Sequence, residues 1–299
     1  MSKIIIHEVG PRDGLQAEKR VVPLDQKLSW IRGLMDAGLD IVQVGSFVHK
    51  EKLPQMADTD ELFRALIAEK KSPVTLSALV LNEKGLERGM ACGVEMFCMG
   101  ASASETHSQR NVGASSLDSQ KRIVAMAKTA MAAGKPVQVS VQCAFGCGFE
   151  GRIPQDRVIG MVRTYLEHGL RNISLADTAG HAHPEQVKRL FGEIMRLDDD
   201  VQCTCHFHDT YGLGMANIYA AMEQGVTSFE TCFAGIGGCP FTKVMAGNVP
   251  TEDVVHSLQR NGQRKDINLT KLSELARSVA AWFGREMTGR VYKTEPIAY

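Results

Sequence analysis

Two histidines one residue apart, His206-Phe207-His208, lie in the β-rich run VQCTCHFHD. Residues i and i+2 of a strand point to the same side, so both imidazoles can reach one ion. Taken alone, the pair reads as two hydrogen-bonded histidines at a polar strand end. Asp13 in HEVGPRDGLQ and Asn248 in AGIGGCPFTKVMAGN change that reading, because both fall at the ends of strand-like runs expected on the same rim. Nitrogen and oxygen donors of this kind suit a divalent metal, Mg2+ or Mn2+ first and Zn2+ also, since softness alone does not choose among them. Arg12, beside Asp13, is a candidate catalytic cation; its plainer reading is a salt-bridged barrel-end arginine.

Other polar residues cluster at strand ends. His7 and Glu8 close the first strand-like run, Gln43 and Ser46 the second, Cys143 the fifth, Ser174 and Asp177 the sixth. Gln16, Gln43, Ser46, Ser174 and Asp177 are the candidate substrate contacts, although Ser174 and Asp177 fit a capping role equally well. Cys239 sits in a Gly-Gly-Cys-Pro turn within a long glycine-bearing loop, which suggests a lid. Cys143-x3-Cys147 and Cys203-x-Cys205 do not form the paired C-x2-C set of a structural zinc site. Strand parity instead sends Cys203, Cys205 and Phe207 to one face and the two histidines to the other.

The elements that position these residues repeat along the chain. An amphipathic stretch, a glycine and a short β-rich run recur, with the glycines at Gly38, Gly93, Gly134, Gly169 and Gly225. Glycine just past a helix end supplies the left-handed cap that turns the chain into the next strand. Val158, Met161, Val162, Tyr165 and Leu166 follow the spacing of one buried helical face. Eight strands are expected, near residues 3–9, 41–45, 74–80, 95–100, 137–145, 172–177, 201–209 and 228–234, with a further helix over 271–282. This alternation predicts a (β/α)8 barrel, a single domain over 1–299, with chemistry at the C-terminal ends of the strands. An open doubly wound sheet is the rival, weakened because no glycine-rich dinucleotide fingerprint follows the first strand.

Composition narrows the function. The 299 residues carry 34 Lys+Arg and 34 Asp+Glu, so there is no basic footprint for nucleic acid or an anionic membrane. A hydrophobic content of 44% supports a sizeable core, yet no apolar run approaches the ~20 residues of a membrane span. The first residues run almost directly into a strand, leaving no room for a signal or transit peptide. The eight cysteines, mostly in or beside strands of a large chain, read as reduced thiols, and the expected compartment is the cytoplasm.

EVGPRDGLQ, SFVHKEKLPQM, SLADTAG, HFHDTYG and AGIGGCPFTKVMAGN resemble, in order, the motifs of the 3-hydroxy-3-methylglutaryl-CoA lyase family of metal-dependent barrels. The resemblance runs from Glu8 to the Thr251-Glu252-Asp253 segment. It implies a reverse Claisen cleavage of a 3-hydroxyacyl-CoA. Asp13, His206, His208 and Asn248 would hold the metal, Arg12 would steady the enolate oxygen, and Cys239 would belong to the closing loop. It also implies an acyl-CoA ligand and a homodimer. Two positions depart from the family pattern. Gln43 stands where a glutamate is usual, and Gly148, in Gly146-Cys147-Gly148-Phe149-Glu150-Gly151, stands where a proline is usual. Glutamine keeps the shape and hydrogen bonds of glutamate without its ionisation. Three alternatives stand beside this reading. One is a lyase for another 3-hydroxyacyl-CoA such as citramalyl-CoA. Another is a condensing synthase, disfavoured because only about 30 residues follow the last unit, too few for a regulatory domain. The third is a silent acyl-CoA-binding barrel.

Overall fold

The computed structural model describes residues 3–237 and 247–294. Eight parallel strands close into a barrel in chain order. They are β1 (Ile5–Glu8), β2 (Ile41–Ser46), β3 (Thr75–Leu79), β4 (Met96–Ser102), β5 (Val137–Gln142), β6 (Asn172–Asp177), β7 (Gln202–Phe207) and β8 (Ser228–Thr231). The expected strands coincide with these to within a few residues. Strand five stops short of the expected 145 because Cys143 takes a left-handed φ of 55° and turns the chain out of the ladder.

Around the barrel run α1 (Leu24–Asp36), α2 (Thr59–Glu69), α3 (Glu83–Ala91), α4 (Glu105–Val112), α5 (Ser116–Ala132), α6 (Gln155–Glu167), α7 (Pro184–Met195), α8 (Gly214–Glu223) and α9 (Thr251–Arg260). The additional helix α10 (Leu269–Phe283) packs against α1, with Trp30 stacked on Phe283 and edge-on to Trp282. No helix among the described residues is long and apolar enough to cross a membrane.

The apolar core is the shell between strands and helices. Phe207 of β7 meets Phe145 at 5.5 Å, and Phe145 meets Phe191 of α7 at 6.1 Å. Cys203 and Cys205 share the parity of Phe207 and are buried. Inside the barrel the side chains are polar: His7 contacts the Ser77 hydroxyl at 2.9 Å, and Gln138 donates to Thr204 Oγ1 at 3.1 Å. Burying polar groups is tolerated where they satisfy one another, as these two pairs do.

Two local devices aim the residues of the C-terminal rim. A π-helical turn, Gly10–Gly14, follows β1 and carries Arg12 and Asp13. A Cβ at Gly10 would lie 2.4 Å from the Phe233 ring, so only glycine lets this turn sit against the segment after β8. In β2 the register shifts between Gln43 and Gly45. That bulge lets Gln43 and Ser46, three residues apart, both face the barrel mouth.

Candidate active site

Three donor atoms converge above the barrel: Asp13 Oδ2, His206 Nε2 and His208 Nε2. The two imidazole nitrogens are 3.1 Å apart, and each lies 3.8 Å from Asp13 Oδ2. Donors held about 2.1 Å from an octahedral ion lie about 3 Å from one another, so this triangle closes on a divalent cation with a small contraction. Asn248 completes the set. It pairs with His208 in an isolated antiparallel bridge, its Nδ2 donates to Asp13 Oδ2 at 2.8 Å, and its buried Oδ1 has no hydrogen-bond partner. An orphaned amide oxygen beside two imidazoles and a carboxylate is what a hard N/O ion site requires. These residues fit the metal that the sequence implies.

The electrostatics agree with that use. Burial opposes a charge on Asp13, yet Arg12, the two histidines and Asn248 hold its carboxyl well below the usual carboxylate range. Burial, then the charge of His206, brings His208 down to about 4, so its ring is neutral near pH 7 and keeps a lone pair. His206 moves the other way: burial lowers it, but its hydrogen bond to the Glu230 carboxylate and the charge of Asp13 more than offset that.

Arg12 is buried beside this triangle. Its Nε donates to Gln43 Oε1 and one terminal nitrogen donates to Asp13 Oδ1. Gln16 braces the same Asp13 oxygen at 3.2 Å. Arg12, Asp13, Gln16, Gln43, Ser46, Ser174, His206 and His208 all line one cavity of about 780 Å³. The hydroxyls of Ser46 and Ser174 are buried there without a partner. The cavity continues to a cationic mouth that includes Lys52, Arg110 and Arg122.

Asp177 is different. Ser174, Ala176 and Thr178 line the cavity, and Asp177, of opposite parity, does not. Its carboxylate accepts from the backbone N–H of His181 at 2.8 Å and Ala182 at 3.1 Å, which fixes the loop after β6. The expected substrate contact is therefore corrected to a loop anchor. Cys239 lies outside the described residues, as does most of its loop. The other seven cysteines are buried and unpaired, and Asp13, His206 and His208 form the one potential metal cluster among the described residues.

Glu230 was not singled out by its sequence. It lines the cavity from β8, with Oε2 2.8 Å from His206 Nδ1 and Oε1 3.7 Å from His7 Nδ1. The available signal was a lone carboxylate inside the short, otherwise β-favouring run SFET. The floor around it, Cys98, Gln138 and Ser140, also escaped notice, because inward polar side chains in strands look like ordinary surface residues in sequence.

The HMGL-like family model matches residues 3–279. The chain is 34% identical over 288 residues to a hydroxymethylglutaryl-CoA lyase of Bacillus subtilis, covering 96% of each protein. It is 35% identical to a 3-hydroxy-3-isohexenylglutaryl-CoA/hydroxymethylglutaryl-CoA lyase of Pseudomonas aeruginosa, covering 97% of this chain and 96% of that one. Among solved structures, the B. subtilis HMG-CoA lyase superposes with a TM-score of 0.93 at 33% identity over 97% of both chains. An HMG-CoA lyase of Acinetobacter baumannii in complex with coenzyme A and 3-methylmalate superposes at 0.92 and 33% identity, over 99% of this chain and 98% of that one.

Proposed function

The chain belongs to the HMGL-like family, and on that footing we propose that it cleaves a 3-hydroxyacyl-CoA by a reverse Claisen reaction, with 3-hydroxy-3-methylglutaryl-CoA as the first candidate and acetyl-CoA and acetoacetate as products. The observation that carries this reading is the convergence of Asp13, His206 and His208 beside Arg12 on the floor of one cavity. A divalent ion held by Asp13, His206, His208 and Asn248 would supply Lewis acidity, acidifying the substrate's 3-hydroxyl and fixing its orientation.

The chain's own groups account for the rest. Transfer of the 3-hydroxyl proton to a base lets the C2–C3 bond break, with its electron pair passing to C2 and into the thioester carbonyl. Arg12, held by Gln43 and Asp13, presents a fixed cation to that enolate oxygen. The unpartnered hydroxyls of Ser46 and Ser174 hydrogen-bond the acyl group, and Gln16 keeps Asp13 aligned. Protonation at C2 then gives the acetyl thioester. Cys239, by family resemblance, belongs to the loop that closes over the bound substrate.

A second reading, a lyase for another 3-hydroxyacyl-CoA, is favoured by Gln43, which places a neutral amide against Arg12. A homodimer belongs to the proposal by family resemblance. A cytoplasmic setting belongs to it as well, supported by seven buried, unpaired cysteines. The deciding experiment reconstitutes purified protein with Mg2+, Mn2+ or Zn2+ and assays acetoacetate from 3-hydroxy-3-methylglutaryl-CoA and pyruvate from citramalyl-CoA. Metal-dependent acetoacetate release is expected. Protein that binds no divalent ion, and whose behaviour a chelator leaves unchanged, would overturn the lyase reading.

A further inference from the structure

The two histidines of the metal triangle are held differently behind their rings. The Nδ1 atoms of both rings are buried without a well-aligned hydrogen bond, and among the described residues no carboxylate pairs with that of His208. His206 Nδ1 lies 2.8 Å from Glu230 Oε2, a contact that turns its Nε2 toward His208 and Asp13. Glu230 is itself buried and shared: its other oxygen faces His7 Nδ1 at 3.7 Å, and the far nitrogen of His7 contacts the Ser77 hydroxyl at 2.9 Å. The chain Ser77, His7, Glu230, His206 thus crosses the barrel floor from β3 through β1 and β8 to β7. Among the described residues lining the cavity, Asp13 and Glu230 are the carboxylates, and Asp13 is already committed to the donor triangle.

We infer that Glu230 is a positioning residue for the metal centre: it fixes His206 as the Nδ1–H tautomer, so that the Nε2 lone pair faces the ion. An imidazole can ligate through only one nitrogen here, and the hydrogen bond on the other decides which. Glu230 makes that choice for His206. For His208 the bridge to Asn248 fixes the backbone, and no carboxylate stands behind its ring among the described residues. The asymmetry makes His206 the rigid ligand and His208 the adjustable one.

The inference rests on the metal reading above, and its test separates the two. Mn2+ affinity is measured by calorimetry on the full-length protein for wild type, Glu230→Gln, Glu230→Leu and Ser77→Ala. Glutamine can still accept from Nδ1–H through its amide oxygen, so Glu230→Gln should stay within ~3-fold of wild type. Glu230→Leu should bind ~10- to 100-fold more weakly, the usual cost of removing such a partner. Ser77→Ala, three contacts from His206, should match wild type. Wild type that takes up no Mn2+ removes the metal reading and this inference with it. Wild type that binds while Glu230→Leu binds equally well, or equal losses in Glu230→Gln and Glu230→Leu, removes the inference alone. Because leucine can fail to fold at a buried site, a second measurement uses 15N-labelled histidine in the Mg2+-loaded wild type. A protonated Nδ1 on His206 is expected; a protonated Nε2 overturns the assignment.

Discussion

Gln43 Oε1 accepts a hydrogen bond from Nε of Arg12, joining the bulged end of β2 to the π-helical turn after β1. The guanidinium proposed to face the developing enolate is therefore aligned by a neutral amide on one side and by Asp13 on the other. Gln43→Glu would keep the geometry, turn the contact into an ion pair and add a group that can exchange protons near the substrate. General acid–base groups contribute ~10²- to 10⁴-fold when well placed. We expect Gln43→Glu to raise kcat on 3-hydroxy-3-methylglutaryl-CoA by ~10-fold or more in the acetoacetate assay. An unchanged rate would mean that protons are handled elsewhere in the cavity.

Asp13 is the anionic member of the donor triangle and a partner of Arg12. Asp13→Asn removes the negative charge from both. Breaking a buried charge pair costs about 3–5 kcal/mol, or on the order of 10²- to 10⁴-fold. Mn2+ affinity, read by calorimetry, and kcat in saturating Mn2+ should both fall by that order. A variant that keeps wild-type affinity would show that the histidines and Asn248 suffice.

The barrel was legible because its cause is local. Each glycine after an amphipathic stretch has a positive φ, including Gly38 at 86° and Gly225 at 90°, and each feeds the next strand. His206 and His208 were legible by parity, which also sends Cys203 and Cys205 outward. The same parity would have turned Asp177 away from the cavity had it been applied to Ser174 and Asp177 together. Gln43 and Ser46 break parity because of the bulge at Gly45, where a Cβ would lie 2.6 Å from Thr59 Oγ1, and no local pattern announces that contact. Glu230 and His7 were opaque for a related reason. Their meaning lies in contacts across the barrel floor, where Glu230 of the last strand meets both His206 and, from the first strand, His7.

Glu150 ties the loop after β5 to the wall of the cavity. Its Oε1 accepts from Ser104 Oγ at 2.9 Å and from the Thr106 backbone N–H at 2.6 Å, at the start of α4. The end of that helix, Arg110 to Gly113, lines the cavity mouth far from the metal triangle. Glu150→Ala should loosen the mouth and leave the floor alone. We expect KM for the acyl-CoA to rise roughly 3- to 10-fold with kcat within ~2-fold, since uniform binding is lost and transition-state contacts are kept. A fall in kcat at constant KM would place the effect on the floor instead.

Buried carboxyls set the pH dependence of stability. Burial, then the charge of Asp253, pushes Glu252 up to about 8, and burial pushes Glu8 and Asp177 each up to about 7. Glu8 accepts from the N–H of Gly10 and Phe233 and from the Thr251 hydroxyl, and Glu252 accepts from the Ala234 N–H, so both acids clamp the segment after β8. An acid whose folded pKa lies above its ordinary value holds its proton in the folded chain after the unfolded chain has lost it. The folded state then binds more protons, and stability falls as pH rises. The contribution is complete below the ordinary carboxylate range and is lost as pH climbs through about 7 and then about 8. Within that window each group weakens the fold by ~1.4 kcal/mol per pH unit. Wild-type Tm should therefore fall between pH 6 and pH 9. Glu252→Gln, which cannot ionise, should lose several degrees less over the same range, at roughly 2–4 °C per kcal/mol for a chain of this class. Melting curves by circular dichroism at half-unit pH steps would read the difference, and parallel declines in the two proteins would mean that Glu252 is already ionised in the fold at pH 6.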